Sequence, residues 1–331
     1  MNLLVLTNNP ERASFRQRIG IYLDFLRVKD IDCVVERFPS GSLARRMLFK
    51  QAANFDGVFI HKKRLNSFDA FWLRRYSRCV IYDFDDAVMY SDKHPERPSR
   101  KRQKGFQRTV SLSDLVLAGN AYLAEHAEKY NPNVAILPTG LDTNAYKIDV
   151  PAPNDGKIRL VWIGSASTLQ YLIEIKPVLE EVGSRFDNLV LRIVCEDFIE
   201  LNNLGVEKRP WSSENEVHDL ATSDIGLAPL PDNRFTRGKC GFKILQYAAA
   251  GLPSIASPVG VNAELIIDGV TGFIAADTRQ WIDRIMELIE NPSLRKKMGL
   301  EGQAHAEKYN VPVIGKQLTD LISKCLQGTA L

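Results

Sequence analysis

The chain has 331 residues, 45% of them hydrophobic and 25% charged, with 43 lysines and arginines against 40 aspartates and glutamates. This is the composition of an ordinary globular protein long enough for two cores, and it holds no run of about 18 apolar residues that could span a bilayer. Five cysteines, scattered and without a C-x-x-C spacing, argue against a disulfide framework or a zinc site and for a reducing compartment.

The first seven residues, MNLLVLT, lack the basic lead of a signal peptide and are expected to form a strand in a cytoplasmic protein. Charge is uneven: residues 1–150 hold 24 Lys and Arg against 17 Asp and Glu, whereas residues 151–331 hold 19 against 23. The basic first half suggests an anionic partner.

Leu3–Thr7 ends at Asn8-Asn9-Pro10, and Ser14 is the expected N-cap of a helix that keeps Phe15, Ile19, Tyr22, Leu23 and Leu26 at helical spacing. Arg16 and Arg18 lie near that helix start, beside a strand end where ligands of open α/β sheets bind. They are candidates for binding a phosphate, with ordinary surface arginines as the alternative. After a strand at Cys33–Phe38, a helix is expected over Leu43–Phe55. Its Arg45, Arg46 and Lys50 either lie on an anionic membrane or form a solvated face. His61 follows the strand Gly57–Ile60 and is either a substrate contact or a satisfied histidine.

Cys79–Tyr82 runs into Asp83-Phe84-Asp85-Asp86. Three carboxylates so close repel one another, so one needs a raised pKa or a cationic neighbour. Asp85 and Asp86 are candidate site groups at this strand end; a loop cap is the plain alternative. Arg97–Arg108 carries six basic residues and no acid. It is expected to be a mobile loop drawn to lipid phosphates or simply solvated, and it lacks a nucleic-acid motif. Strands at Leu115–Ala118 and Val134–Leu137, with a helix at Asn120–Tyr130 between them, complete this half. The polar, proline-bearing Ala145–Gly156 is the expected linker.

Arg159–Ile163 then opens into Gly164-Ser165-Ala166-Ser167-Thr168, a strand-to-helix turn receptive to phosphate. Glu196 ends the strand Leu189–Cys195 and is a candidate contact on the base side. Trp211, ahead of a helix over Glu214–Thr222, either covers a nucleobase or packs on the surface. A strand at Asp224–Leu230 leads to RGKCGFKILQYAAAGLPSIASPVGVNAELIIDGVTGF at Arg237–Phe273. Two lysines, Lys239 and Lys243, precede or open an apolar helix over Phe242–Ala250, which Gly251-Leu252-Pro253 ends. The strand Ser254–Ser257 feeds Pro258-Val259-Gly260-Val261-Asn262 and another helix start, where backbone N–H groups favour an anion. Helices are expected at Thr278–Glu290, Pro292–Tyr309 and Val313–Leu326.

Lys243, Tyr247, Ala249, Gly251, Pro253, Ala256, Ser257, Gly260, Glu264, Asp268, Gly269, Gly272 and Phe273 fall in register with one family pattern. The chain resembles the GT-B nucleotide-sugar glycosyltransferases of the retaining family 4, or group 1, type. Pro138-Thr139-Gly140-Leu141-Asp142 resembles the same family's interdomain junction. One departure stands out: the family's E-x(7)-E pair falls on Gly238 and Gln246.

Alternating strands and helices in two halves argue for two Rossmann-like α/β/α domains. The resemblance implies GT-B, with domains over 1–150 and 151–310 facing across a cleft and a helix at 311–331 returning to the first. It further implies transfer of a sugar from a nucleotide-sugar donor to a hydroxyl of a saccharide or lipid-linked saccharide, as in surface polysaccharide or lipopolysaccharide synthesis. Retention of configuration is implied, with no metal or other cofactor. Gly164, Ser165, Thr168, Lys239, Lys243, Gly260, Val261 and Asn262 would hold the donor diphosphate. Gln246, Glu264, Trp211 and Glu196 would serve ribose, sugar and base, while Arg16, Arg18 and His61 would serve the acceptor. Asp85, Asp86 and Lys243 would be catalytic. The basic first domain would meet an anionic acceptor or membrane, and nucleic acid is not an expected partner. Three other readings stay open: a metal-dependent D-x-D enzyme centred on Asp83 and Asp85, a nucleotide-sugar epimerase, and a non-catalytic sugar-nucleotide or glycan binder.

Overall fold

The protein is described by a computed structural model over residues 1–148, 150–151 and 153–328. It folds as two compact units, the first comprising 1–140, 233–240 and the chain from Val311, the second comprising the described residues of 141–232 together with 241–310.

In the first unit, β1 (Asn2–Thr7), β2 (Asp32–Arg37), β3 (Gly57–His61), β4 (Val80–Phe84), β5 (Leu115–Ala118) and β6 (Val134–Ile136) form one sheet in the order β2-β1-β3-β4-β5-β6. All pairings are parallel. Side chains alternate across a strand, so Leu4, Leu6, Val58, Ile60, Tyr82 and Phe84 face one helical layer while Leu3, Val5, Phe59 and Ile81 face the other. The second layer is α1 (Ala13–Arg18), α2 (Leu23–Val28) and the C-terminal helix Val311–Leu326, through Phe15, Leu26, Ile314 and Leu318. The first is α3 (Ser42–Gln51), α4 (Ser67–Tyr76), α5 (Arg100–Leu112) and α6 (Ala121–Glu128), through Leu48, Phe49, Leu73, Phe106 and Leu123. Cover on both faces explains why β3, β4 and β5 are buried throughout.

Two local expectations are corrected here. Arg12, not Ser14, is the N-cap residue of α1, and no side chain caps it. The basic stretch from Arg97 is not a loop: from Arg100 it forms α5, with Ser99 accepting from the Arg102 N–H. Phe106 and Val110, one turn apart, bury the inner side of that helix.

In the second unit, β7 (Ile158–Ile163), β8 (Leu189–Val194), β9 (Gly205–Arg209), β10 (Ile225–Ala228), β11 (Ser254–Ala256) and β12 (Gly272–Ile274) form a parallel sheet in the order β12-β11-β10-β7-β8-β9. Around it lie α7 (Leu169–Glu174), α8 (Lys176–Gly183), α9 (Glu216–Ala221), α10 (Phe242–Ala249), α11 (Asn262–Leu265), α12 (Thr278–Glu290) and α13 (Pro292–Ala306). This is the strand order of dinucleotide-binding Rossmann folds, whose ligand crevice opens where the order reverses, here between β7 and β10. In the first unit the reversal falls between β1 and β3. Strand β9 was not expected, because its sequence GVEKR lacks an apolar alternation. An ionic ladder holds it instead: Glu207 pairs with Arg192 at 2.9 Å and with Arg159 at 3.1 Å.

Candidate functional site

At the reversal point of the second unit, the Tyr247 hydroxyl accepts from the Ile163 N–H at 3.1 Å and donates to the Leu227 carbonyl at 3.1 Å. It ties the carboxyl ends of β7 and β10. Its ring lies where a Cβ on Gly226 would come within 2.4 Å of Cδ2, so only glycine fits that strand position. Beyond β7, a Cβ on Gly164 would meet the Trp162 ring at 2.6 Å and Thr168 Oγ1 at 2.7 Å. The turn closes on itself, Thr168 donating Oγ1 to the Ser165 carbonyl at 2.9 Å and Ser165 Oγ lying 3.0 Å from Ser167 Oγ. Gly164 differs from its expected role: its N–H already donates to the Val194 carbonyl at 3.1 Å, continuing the ladder to β8.

Gly241, in the left-handed region at φ 65°, starts α10. Its first turn carries Lys243, whose ammonium stands 4.4 Å from the centroid of the buried Trp162 ring. The loop after β11 is fastened from two sides. Ser257 Oγ accepts from the Leu230 N–H at 3.0 Å, and Asn262 donates Nδ2 to the Ser257 carbonyl at 3.2 Å. Gly260 takes φ 55° at its apex, Val261 and Asn262 are buried, and Glu264 is exposed on the short α11. Asn262 therefore builds the loop, and Gly260 is its open position.

Gln246, on the position of the family's second acid, is buried. It donates Nε2 to Glu216 Oε1 at 2.8 Å and to the Tyr146 hydroxyl at 3.0 Å. Glu216 also accepts from the Tyr146 hydroxyl at 2.6 Å and from Trp211 Nε1 at 2.6 Å. A carboxylate is thus present beside position 246, but it comes from α9. Trp211 is oriented by this carboxylate, whereas Glu196 lies exposed beyond β8.

The three acids at the end of β4, Asp83, Asp85 and Asp86, are each matched by a cation. Asp83 takes both Nε and Nη2 of Arg18, at 2.9 and 2.7 Å, and both residues are almost inaccessible. Burial pushes the Asp83 carboxyl up to about 6 against the pull of Arg18. Lys62, in the left-handed region at φ 55°, sends Nζ to Asp85 and to Asp86, each at 2.6 Å. Lys239 reaches the other Asp86 oxygen at 3.2 Å. Burial would raise the Asp86 carboxyl, yet Lys62 and Lys239 outweigh it and hold the group below the usual carboxylate range. At the reversal point, Thr7 Oγ1 lies 3.2 Å from His61 Nδ1, and the imidazole stands edge-on to Phe15. Burial lowers the His61 pKa to about 4, and its Nε2 has no hydrogen-bond partner among the described residues.

The segment 233–240 is fixed onto these acids. Asn120 donates Nδ2 to the Lys239 carbonyl at 3.1 Å. A Cβ on Gly238 would lie 2.8 Å from the Ala87 N and Cβ, which leaves no room for the family's first glutamate.

Several expected site residues therefore stand differently from their sequence reading. Arg18 is no surface arginine awaiting a phosphate; it is 1% exposed, bound to Asp83 and to the Leu137 carbonyl at 2.6 Å. Arg16 is exposed. Lys239 belongs with Asp86 in the first unit, and Lys243 belongs to the second. Lys62, Glu216, Tyr146 and the Tyr247 hydroxyl were missed. Only Lys62, directly after the strand-end His61, carried a local signal.

Two six-stranded parallel α/β units in one chain define the GT-B class, and whole-chain likeness to solved structures agrees. Anabaena HepE, solved with UDP and glucose, superposes with a TM-score of 0.70 at 17% identity, covering 98% of this chain and 100% of that one. The sucrose-phosphate synthase of Thermosynechococcus elongatus gives 0.73 at 12% identity, over 99% and 100%. Within this fold, residues 157–291 match the family model "Glycosyl transferases group 1". Among curated relatives, a D-inositol 3-phosphate glycosyltransferase of Arthrobacter sp. (strain FB24) is 24% identical over 259 residues, 67% of this chain and 58% of its own length. The putative glycosyltransferase EpsD of Bacillus subtilis is 29% identical over 111 residues, 33% of this chain and 28% of its own. The chain thus spans little more than half the length of the first of these relatives.

Proposed function

We propose that the protein transfers a sugar from a nucleotide-sugar donor to a hydroxyl of an anionic saccharide or lipid-linked saccharide. The second unit takes the donor, and the observation that carries this reading is Lys243, fixed over Trp162 beside the β7 reversal point within the segment matching the group 1 model. The fold relative HepE, solved with UDP and with UDP-glucose, supports such a donor. As the C1–O bond to the diphosphate breaks, negative charge grows on the leaving oxygens, and a preorganised ammonium lowers that barrier. Gln246, its two N–H donors taken by Glu216 and Tyr146, offers its amide oxygen to donor ribose or sugar hydroxyls, with Glu264 nearby in sequence as a further contact.

The first unit takes the acceptor. Asp86, kept ionised by two lysines, suits binding an acceptor hydroxyl, whose proton passes to the departing phosphate as the new C1–O bond forms. The basic balance of this half and the D-inositol 3-phosphate glycosyltransferase relative fit an anionic acceptor. Retention of configuration and independence of metal belong to the same reading. Asp83, Asp85 and Asp86 are already engaged by Arg18, Lys62 and Lys239, which disfavours recruiting them as ligands of a divalent ion.

The test is a thermal-shift screen against UDP-, GDP-, ADP-, CMP- and dTDP-sugars, followed by product analysis with the stabilising donor and EDTA present. One donor class should raise the melting temperature, and transfer should survive chelation. Donor binding with neither transfer nor hydrolysis would leave a binding protein in place of an enzyme.

A further inference from the structure

The outer surface of the α3–α4 layer carries four exposed large apolar side chains. Both helices bury their inner sides, through Leu48 and Phe49 on α3 and through Ala70 and Leu73 on α4. The outside should then be polar, yet Leu43 is 73% exposed, Met47 64%, Phe71 61% and Phe68 40%. The positions are regular: Leu43 and Met47 are one turn apart on α3, and Phe68 and Phe71 are one turn apart on α4. Single exposed apolar residues are normal, whereas a cluster on adjoining helices marks a binding surface.

The two helices are locked side by side. Arg45 pairs with the buried Asp69 at 2.9 Å, and the Arg46 guanidinium stands 3.8 Å from the Trp72 ring centroid. Trp72 in turn packs against Phe68, Phe71 and Tyr76, with ring centroids 6.2, 5.1 and 5.7 Å away. These aromatic rings are therefore held in place and are not collapsed onto the sheet.

Charge identifies the occupant. Across α3, α4 and the neighbouring α5 there are ten lysines and arginines and a single acid, Asp69, which is buried and paired. Lys50, Arg75, Arg100, Lys101 and Lys104 are exposed. A second copy would bring the same positive face against itself and be repelled. Nucleic acid would meet the bases but has no use for exposed leucine and methionine. Aliphatic and aromatic side chains set among lysines and arginines suit the headgroup layer of an anionic bilayer, where the apolar groups enter and the cations stay at the phosphates.

We propose that the outer face of α3 and α4, flanked by α5, docks on an anionic lipid bilayer. The association is peripheral, since among the described residues no helix is long and apolar enough to cross a membrane. It does not depend on the glycosyl-transfer reading, because lipid binding is measured without donor or acceptor.

Flotation with phosphatidylglycerol–phosphatidylcholine vesicles, compared with phosphatidylcholine alone, tests it on the full chain. Wild type should float with the anionic vesicles and bind neutral ones at least about tenfold more weakly. Met47→Ser with Phe71→Ser should lower anionic-vesicle binding about tenfold at an unchanged melting temperature, because both side chains are exposed. Lys101→Glu with Lys104→Glu should weaken it similarly and reduce its salt dependence. The proposal fails if wild type does not distinguish the vesicles. It fails equally if the lysine pair matters and the Met47, Phe71 pair does not, which would indicate a polyanion-binding face. Light scattering showing a dimer that the Met47, Phe71 variant dissolves would assign the face to a copy of the chain.

Discussion

Gln246 donates its amide to Glu216 at 2.8 Å, the glutamate having come from a different helix. The chain lacks the family's carboxylate at position 246, and the structure shows why a neutral residue belongs there. Gln246→Glu would bury a second carboxylate against the first, and one of the two would have to hold a proton or move away. Its stability should fall by about 3–5 kcal/mol, the scale of an uncompensated buried charge. Gln246→Glu with Glu216→Gln restores one acid and one amide and should recover most of that loss. Urea unfolding of the four proteins forms a double-mutant cycle. Additive losses, with no recovery in the double variant, would show that the two side chains are not coupled.

How far the sequence disclosed this arrangement depended on the kind of interaction. Strands such as β3 and β4 were legible because cover on both faces demands continuous apolar runs. The Gly164 turn and the α10–β11 stretch were legible from glycine and proline punctuation. Strand β9 was not, because Glu207, Arg159 and Arg192 replace apolar pairing with ion pairs. Helix α5 was read as a loop because its charges hid the Phe106 and Val110 stripe. The site followed the same rule. Lys243, Gln246 and Gly260 stood in a dense local pattern. Glu216, Tyr146 and Lys62 act through contacts between residues far apart in the chain, which spacing cannot encode. Gly238 shows the limit most directly, since the reason for its missing side chain is Ala87, on a strand-end loop of the other half.

Lys243 gives the most direct test of the donor site. Lys243→Met keeps the apolar stem over Trp162 and removes the charge. The transfer rate at saturating donor should drop on the order of 100-fold, the usual effect of losing one preorganised contact to a developing anion. The melting temperature should change little, because the cation–π contact contributes only about 1 kcal/mol. Transfer close to wild type in this variant would remove Lys243 from the diphosphate.

His61 should leave a signature in acid. Its folded pKa is about 4, below the roughly 6.5 of an unfolded histidine, so the native state favours the neutral ring. Its contribution is intact above about pH 6.5 and is lost as the pH falls from there through 4, reaching about 3 kcal/mol. The raised carboxyl of Asp83 works in the opposite direction between about 6 and 4, so wild type alone is ambiguous. His61→Asn keeps a partner for Thr7 Oγ1 without a titrating ring. The stability difference between the variant and wild type should shift in the variant's favour as pH drops from 7 to 4. A constant difference over that range would mean His61 is solvated or protonated in the native state.

Five cysteines that look scattered along the chain include two that meet. Cys79, at the foot of β4, and Cys325, in the C-terminal helix, bring their sulfurs to 2.8 Å as free thiols. The contact between them holds the Cys325 thiol below its ordinary range and raises that of Cys79, so Cys325 is the better attacking thiolate. With oxidised glutathione, Cys325 should attack the disulfide and release one glutathione thiolate. Cys79 should then displace the second, giving one protein disulfide and two reduced glutathiones. The bond would close a loop between residues 246 positions apart and raise stability by up to about 5 kcal/mol through the unfolded chain. Peptide mass spectrometry should find Cys79 joined to Cys325, and the melting temperature should rise in wild type but not in Cys325→Ser. If both thiols remain open to alkylation after oxidation, the pair is held too rigidly, or too well shielded, to react.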